Sequence, residues 1–231
     1  MRTLLLCLLA VGLASAGCRD TGPPVAGQSP AATPANLQPA TPQPTPAALP
    51  AAATPPTLEE ARAALGRVYK QALIIEEKRP DALLAGDFNG DASPDLAVAV
   101  RAAAGALAEL NGEFPNWIVV DPGRARPFDP DRRTQAAPTT GGPPQIEAGD
   151  PLLAIVHGHG AAGWRSPEAT QSYLLKGGAG DGMRAVAVRD YPPALSVRRN
   201  LIPRADLITG QLGGAEHFLY WSRGKYIRQQ R

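Results

Sequence analysis

The stretch Leu83-Leu84-Ala85-Gly86-Asp87-Phe88-Asn89-Gly90-Asp91-Ala92-Ser93-Pro94-Asp95-Leu96-Ala97-Val98-Ala99-Val100 sets the frame for reading the chain. Apolar residues bound it on both sides, and Asp87, Asn89, Asp91 and Asp95 stand between them. Oxygen side chains at that spacing, on one tight turn, are what a calcium ion needs from a short loop. With Asp87 as loop position one, Asn89, Asp91, Ser93 and Asp95 take positions three, five, seven and nine. Calcium is a hard cation that takes six to eight oxygens from carboxylates, amides and backbone carbonyls, which this spacing supplies. Position twelve is Val98 rather than glutamate, so the loop is not an EF-hand. A second reading stands beside the ion: a polar turn in which Asp and Asn bond nearby backbone amides.

Outward from the loop, the chain divides into a signal at 1–18, a linker at 19–56 and a folded domain at 57–231. Arg2 provides a positive start, Leu4 to Leu13 an apolar run, and Ala14 to Gly17 small residues. That is the layout of an export signal. The apolar run falls short of the ~20 residues a membrane-spanning helix needs. Residues 19–56 hold eleven of the 25 prolines, mixed with Ala, Thr and Gln. Such a composition has too little apolar bulk for a core and predicts disorder. At about 3.1 Å per residue an extended proline-rich stretch of this length reaches on the order of 100 Å.

The domain begins with Thr57 and Glu60, which form a capping box ahead of Leu58, Ala61, Leu65, Val68, Ala72 and Ile75. Their three- and four-residue steps predict an amphipathic helix ended by Pro80. A second helix is expected at Ala103 to Leu110. Strands are expected at Leu96–Val100, Trp117–Val120, Leu152–Val156, Tyr173–Leu175, Ala185–Val188, Leu207–Thr209, Phe218–Trp221 and Lys225–Arg228. The last two are joined through Ser222-Arg223-Gly224 as a hairpin, and 124–149 reads as a long surface loop. The expected fold is α+β: one mostly antiparallel, β-rich domain with an N-terminal helix. No repeat recurs at a fixed period, which disfavours a propeller or solenoid.

The two cysteines are Cys7, inside the signal, and Cys18, directly after it. A formal charge of +2 argues against a nucleic-acid partner and against strong charge-driven membrane binding. His157 and His159 stand two apart, so on a strand they would point the same way. With Asp150 or His217 they would make a zinc or copper site for a hydrolase; otherwise they belong to a Gly-rich turn. No serine lies in a Gly-x-Ser-x-Gly elbow, and no catalytic residue is assigned. Ser166-Pro167-Glu168 reads as a helix cap. Phe218 and Tyr220 are expected on one face of their strand and Trp221 on the other.

Three resemblances add to this reading. Ser15-Ala16-Gly17-Cys18 resembles the lipobox of bacterial lipoproteins, which implies lipidation of Cys18 and anchoring in the cell envelope, on the periplasmic side or at the surface. Ordinary secretion, with cleavage after Ala14-Ser15-Ala16, is the alternative. If Cys18 is lipidated, no thiol or disulfide remains to the domain. Gly86-Asp87-Phe88-Asn89-Gly90-Asp91 and Pro94-Asp95-Leu96-Ala97-Val98 resemble the FG-GAP or VCBS-type repeat of extracellular proteins, here in one copy. That resemblance implies a calcium hairpin with Asp87, Asn89, Asp91 and Asp95 as side-chain ligands and Ser93 acting through its carbonyl. Where the family has glycine, this chain has Ala92, at a turn that wants a positive φ. The Tyr220-Trp221-x-x-Gly224-Lys225-Tyr226 ending is similar to that of small exported bacterial proteins carrying one such motif. Together they point to a non-catalytic binding or structural module whose partner is an envelope protein or glycan, with the metal-dependent hydrolase as the alternative.

Overall fold

The computed structural model describes residues 54–112, 116–126, 142–190 and 204–230. The signal, Cys18 and nearly all of the linker lie outside the described residues.

The first helix, α1 (Leu58–Tyr69), starts as its sequence dictates. Thr57 Oγ1 accepts from the Glu60 N–H at 3.2 Å, and Glu60 Oε2 accepts from the Thr57 N–H at 3.0 Å. Ala61, Ala64, Leu65, Val68 and Tyr69 form its buried stripe. It ends earlier than its periodicity predicts, because Lys70 turns to φ 53 and breaks the ladder. Ala72 and Ile75 are still buried, but Ile75 belongs to a strand, β1 (Leu73–Ile75). The second helix, α2, is one turn, Leu107–Leu110, because Gly105 at φ 76 interrupts the expected segment.

The larger sheet contains β1, β2 (Leu83–Gly86), β3 (Asp95–Ala102), β4 (Ile118–Val120), β5 (Leu152–Val156) and β6 (Ser172–Lys176). Its order is β1-β3-β5-β6-β4, with β2 also paired to β3. β1 and β2 share one flank of β3: Ile75 faces Val100, while Leu83 faces Val98. Between them the Glu76 N–H donates to the Ala99 carbonyl and the Ala99 N–H to the Ala82 carbonyl, so the flank stays bonded. All pairs are antiparallel except β4 with β6. β5 is buried throughout, and β3 is buried from Asp95 to Val100. Strands without an exposed face need cover on both sides, which is why Leu152-Leu153-Ala154-Ile155-Val156 does not alternate.

The smaller sheet is a meander of β7 (Asp181–Val186), β8 (Leu207–Leu212), β9 (Ala215–Ser222) and β10 (Lys225–Gln230). Two-residue turns close its last two hairpins. Gly213-Gly214 have φ 60 and 78, and Arg223-Gly224 have φ 47 and 88, the positive pair that matches strand twist. β7 ends at Val186, and Val188 enters a short 3₁₀ turn instead of extending the strand. Met183, Ile208, Leu219 and Tyr226 join the main core together with α1 and the larger sheet. Leu207, Phe218, Tyr220 and Ile227 form a separate cluster with Ala125, while Trp221 packs on the main core. The expected alternation of Phe218 and Tyr220 against Trp221 is therefore present. The architecture is β-rich, with two sheets and few helices.

Candidate ion-binding loop and the polar cluster beneath it

Residues 87–94 close the β2–β3 hairpin over a buried carboxylate. Asp87 organises the outer turn: Oδ1 accepts from Gly90 N at 2.7 Å and Asp91 N at 3.1 Å, and Oδ2 from Ala92 N at 3.0 Å. Asp91 Oδ1 accepts from Ser93 N at 2.8 Å, and its Oδ2 accepts from the Asn89 side-chain amide at 2.8 Å. The Asn89 side-chain oxygen accepts from Asp91 N at 3.0 Å. Gly90 and Ala92 take φ 79 and 68. Ala92 thus adopts the left-handed conformation that its Cβ disfavours, and the turn forms at a cost of roughly 1 kcal/mol.

Asp95 is the inner member and has no exposed surface. Its Oδ2 accepts from Phe88 N at 2.8 Å and Asn89 N at 3.1 Å, and its Oδ1 from Gly158 N at 2.7 Å. Burial pushes its carboxyl up to about 7 against the pull of these donors, and the charges of Asp91 and Asp87 push the same way. Burial also raises Asp87. A carboxylate offers about four lone pairs and an amide oxygen two. After these bonds, Asp87, Asn89, Asp91 and Asp95 each retain free acceptor capacity, all of it hard oxygen, the donor chemistry calcium requires. The carboxylates are turned to backbone amides, and no three His, Cys, Asp or Glu side chains converge as a metal cage among the described residues.

Sequence reasoning missed how the loop is held from outside. Asp206, 119 residues away, accepts from Asp87 N at 3.0 Å through Oδ2 and from Val188 N at 3.3 Å through Oδ1. The Asp206 N–H in turn donates to the Asp87 carbonyl at 2.8 Å. No spacing in the chain links these residues. Gly90 lies against the Arg204 carbonyl, where a Cβ would approach to 2.9 Å, so this glycine is required by contact as well as by φ.

His157 and His159 do not act as a pair. His157 is 2% exposed and its Nε2 shares a 2.8 Å hydrogen bond with the Tyr226 hydroxyl. Its ring packs among Tyr173, Trp221 and Tyr226 at centroid separations of 5.0, 5.0 and 5.9 Å. Burial lowers its pKa to about 4, so it is neutral at physiological pH. His159 lies outside on the surface and meets Glu168 at 2.9 Å. Of the residues expected to complete a metal site, Asp150 faces Lys176 at 3.3 Å, and His217 is buried on β9. Ser166 accepts from Glu168 N at 3.2 Å in a turn, and no helix follows it. The C-terminal aromatics Tyr226 and Phe218 serve as buried packing.

Compared with known protein families, curated proteins and solved structures, the chain matches none.

Proposed function

We propose that this protein is an exported, lipid-anchored module of the bacterial cell envelope, non-catalytic, with an FG-GAP-type hairpin that calcium steadies. The observation that supports the ion is the closed turn at 87–95, with Gly90 and Ala92 both left-handed and acceptor capacity remaining on Asp87, Asn89, Asp91 and Asp95. These residues and the Ser93 carbonyl would hold the cation. Bound there, calcium would offset the mutual repulsion of three neighbouring carboxylates. Affinity in the range of extracellular modules, about 10⁻⁴ to 10⁻³ M, is expected.

Thermal unfolding with millimolar calcium and with chelator tests the ion. A rise in Tm that disappears in Asp91→Ala supports it; identical melting curves leave only the polar turn. The anchor rests on Ser15-Ala16-Gly17-Cys18. Palmitate labelling that is lost in Cys18→Ala is expected. Unchanged labelling and membrane association in that variant would make the protein simply secreted. The hydrolase reading gains no support from geometry, since His157 is enclosed by aromatic rings and His159 pairs with Glu168.

A further inference from the structure

The Gly-rich turn at 157–165 touches the acidic loop with one end and the start of the domain with the other. At the loop end, Gly158 N donates to Asp95 Oδ1 at 2.7 Å, and Trp164 N donates to the Pro94 carbonyl at 2.8 Å. A Cβ on Gly158 would collide with the Pro94 carbonyl oxygen, and one on Gly163 would lie 2.5 Å from the same atom. Two glycines are therefore needed for this approach, and neither contact leaves room for slack. At the other end, Arg67 donates to the Trp164 carbonyl at 2.7 Å. Arg165 stacks on Trp164 with its guanidinium carbon 4.1 Å from the ring centroid. The same guanidinium bonds Glu60 at 2.7 and 3.2 Å and the Thr54 carbonyl at 3.0 Å. Glu60 is also the carboxylate of the α1 capping box, and Thr54 lies at the C-terminal end of the proline-rich stretch, just before Pro55-Pro56.

We propose that the turn at 157–165 makes the acidic loop and the root of the N-terminal stretch one cooperative unit, so that loosening either end loosens the other. The consequence for a tethered module is that the state of the loop sets how firmly the domain is held at its attachment point. The link is carried by packed backbone and charge-assisted bonds, the kind of contiguous network along which coupling energy travels. It rests on the proposed function for the tether and for a bound calcium that would tighten both ends; the coupling between the loop and the start of the domain needs neither.

Hydrogen exchange on the full chain tests it, with Ile227→Val as a control that loosens the separate Leu207–Phe218–Tyr220 cluster. Gly158→Ala is expected to speed exchange at Phe88, Trp164, Glu60 and Ala61 by roughly tenfold or more beyond the control, the scale of one lost bond to a charged group. Arg165→Met is expected to do the same from the other side, reaching Phe88. Acceleration confined to Phe88 and Trp164 in the first variant, or to Glu60 and Ala61 in the second, would overturn the proposal. Should Gly158→Ala fail to fold, Arg165→Met decides alone. Repeating both with calcium and with chelator separates the two ideas. Coupling without any calcium response removes the ion and keeps the link; protection of Phe88 by calcium without coupling does the reverse.

Discussion

Asp95→Asn is expected to uncover a pH dependence that the wild-type domain conceals. Two buried titratable groups lie beneath the loop, and their shifts oppose each other. The Asp95 carboxyl rises from 3.8 to about 7, so between those values the folded state holds a proton that the unfolded state has lost. Its contribution to stability is full below the unfolded value and falls as pH rises. The His157 imidazole falls from 6.5 to about 4, so between those values the unfolded state binds the extra proton. Its contribution is full above the unfolded value and is lost as pH falls. At ~1.36 kcal/mol for each tenfold change in proton affinity, Asp95 accounts for about 4 kcal/mol and His157 for about 3 kcal/mol, of opposite sign. Across pH 4 to 6.5 the two nearly cancel in the wild type. Asp95→Asn removes one of them, and stability should then climb by about 3 kcal/mol from pH 4 to pH 6.5. The asparagine also keeps only one acceptor oxygen for three N–H donors, so the whole curve drops by roughly 1–3 kcal/mol. Urea unfolding at half-unit pH steps measures both effects. His157→Phe should give the mirror image, a stability that declines from pH 4 to pH 7. A wild type that itself climbs by about 3 kcal/mol over this range, with no change of slope in Asp95→Asn, would refute the reasoning. It would mean that the N–H groups of Phe88, Asn89 and Gly158 keep Asp95 ionised despite its burial.

Four further substitutions probe the frame. Ala92→Gly should raise stability by about 1 kcal/mol and Tm by roughly 2–4 °C, because φ 68 costs glycine nothing; calorimetry reads it. Thr57→Ala removes the capping box and should cost about 1 kcal/mol in chemical denaturation. Leu174→Ala, fully buried on β6, should cost about 2–5 kcal/mol, whereas Ile118→Lys, at a position 48% exposed, should stay within about 0.5 kcal/mol by the same measurement.

Much of the β framework could be read directly because local signals and tertiary demand agree there. Leu152 to Val156 is a strand because an unbroken apolar run of that length suits burial on both faces. The acidic hairpin and the Arg223-Gly224 turn carry their own turn chemistry. Gly213-Gly214 carries the same signal and closes the β8–β9 hairpin, a pairing absent from the sequence-based expectation. The end of α1 misleads because Ala72 and Ile75 continue the helical spacing, although their burial comes from the bend and β1. Only the left-handed turn at Lys70 marks the break, and lysine gives no warning of it. The parallel pairing of β4 with β6 and the Asp206 brace connect distant residues, and no local pattern encodes them. The histidines fail as a pair for a related reason. Their spacing predicts a shared face only if the strand continues, and β5 stops at Val156.

The bond between His157 and Tyr226 bears on how the domain reaches its native state. Its partners stand 69 residues apart and belong to different sheets. In the smaller sheet β8, β9 and β10 follow one another through two-residue turns, so they close short loops and assemble early. The larger sheet joins β3 to β5 and β4 to β6 across long stretches, at a greater loop-closure cost. Trp221 and Tyr226, two of the three rings around His157, arrive with the smaller sheet, and until then the imidazole is open to water. Docking the smaller sheet on the larger one therefore buries the imidazole and supplies its Nε2 partner in a single step. It makes the acquisition of stability steep rather than gradual, and a chain halted before β10 has paired would present its strand edges to proteases and to other copies of itself.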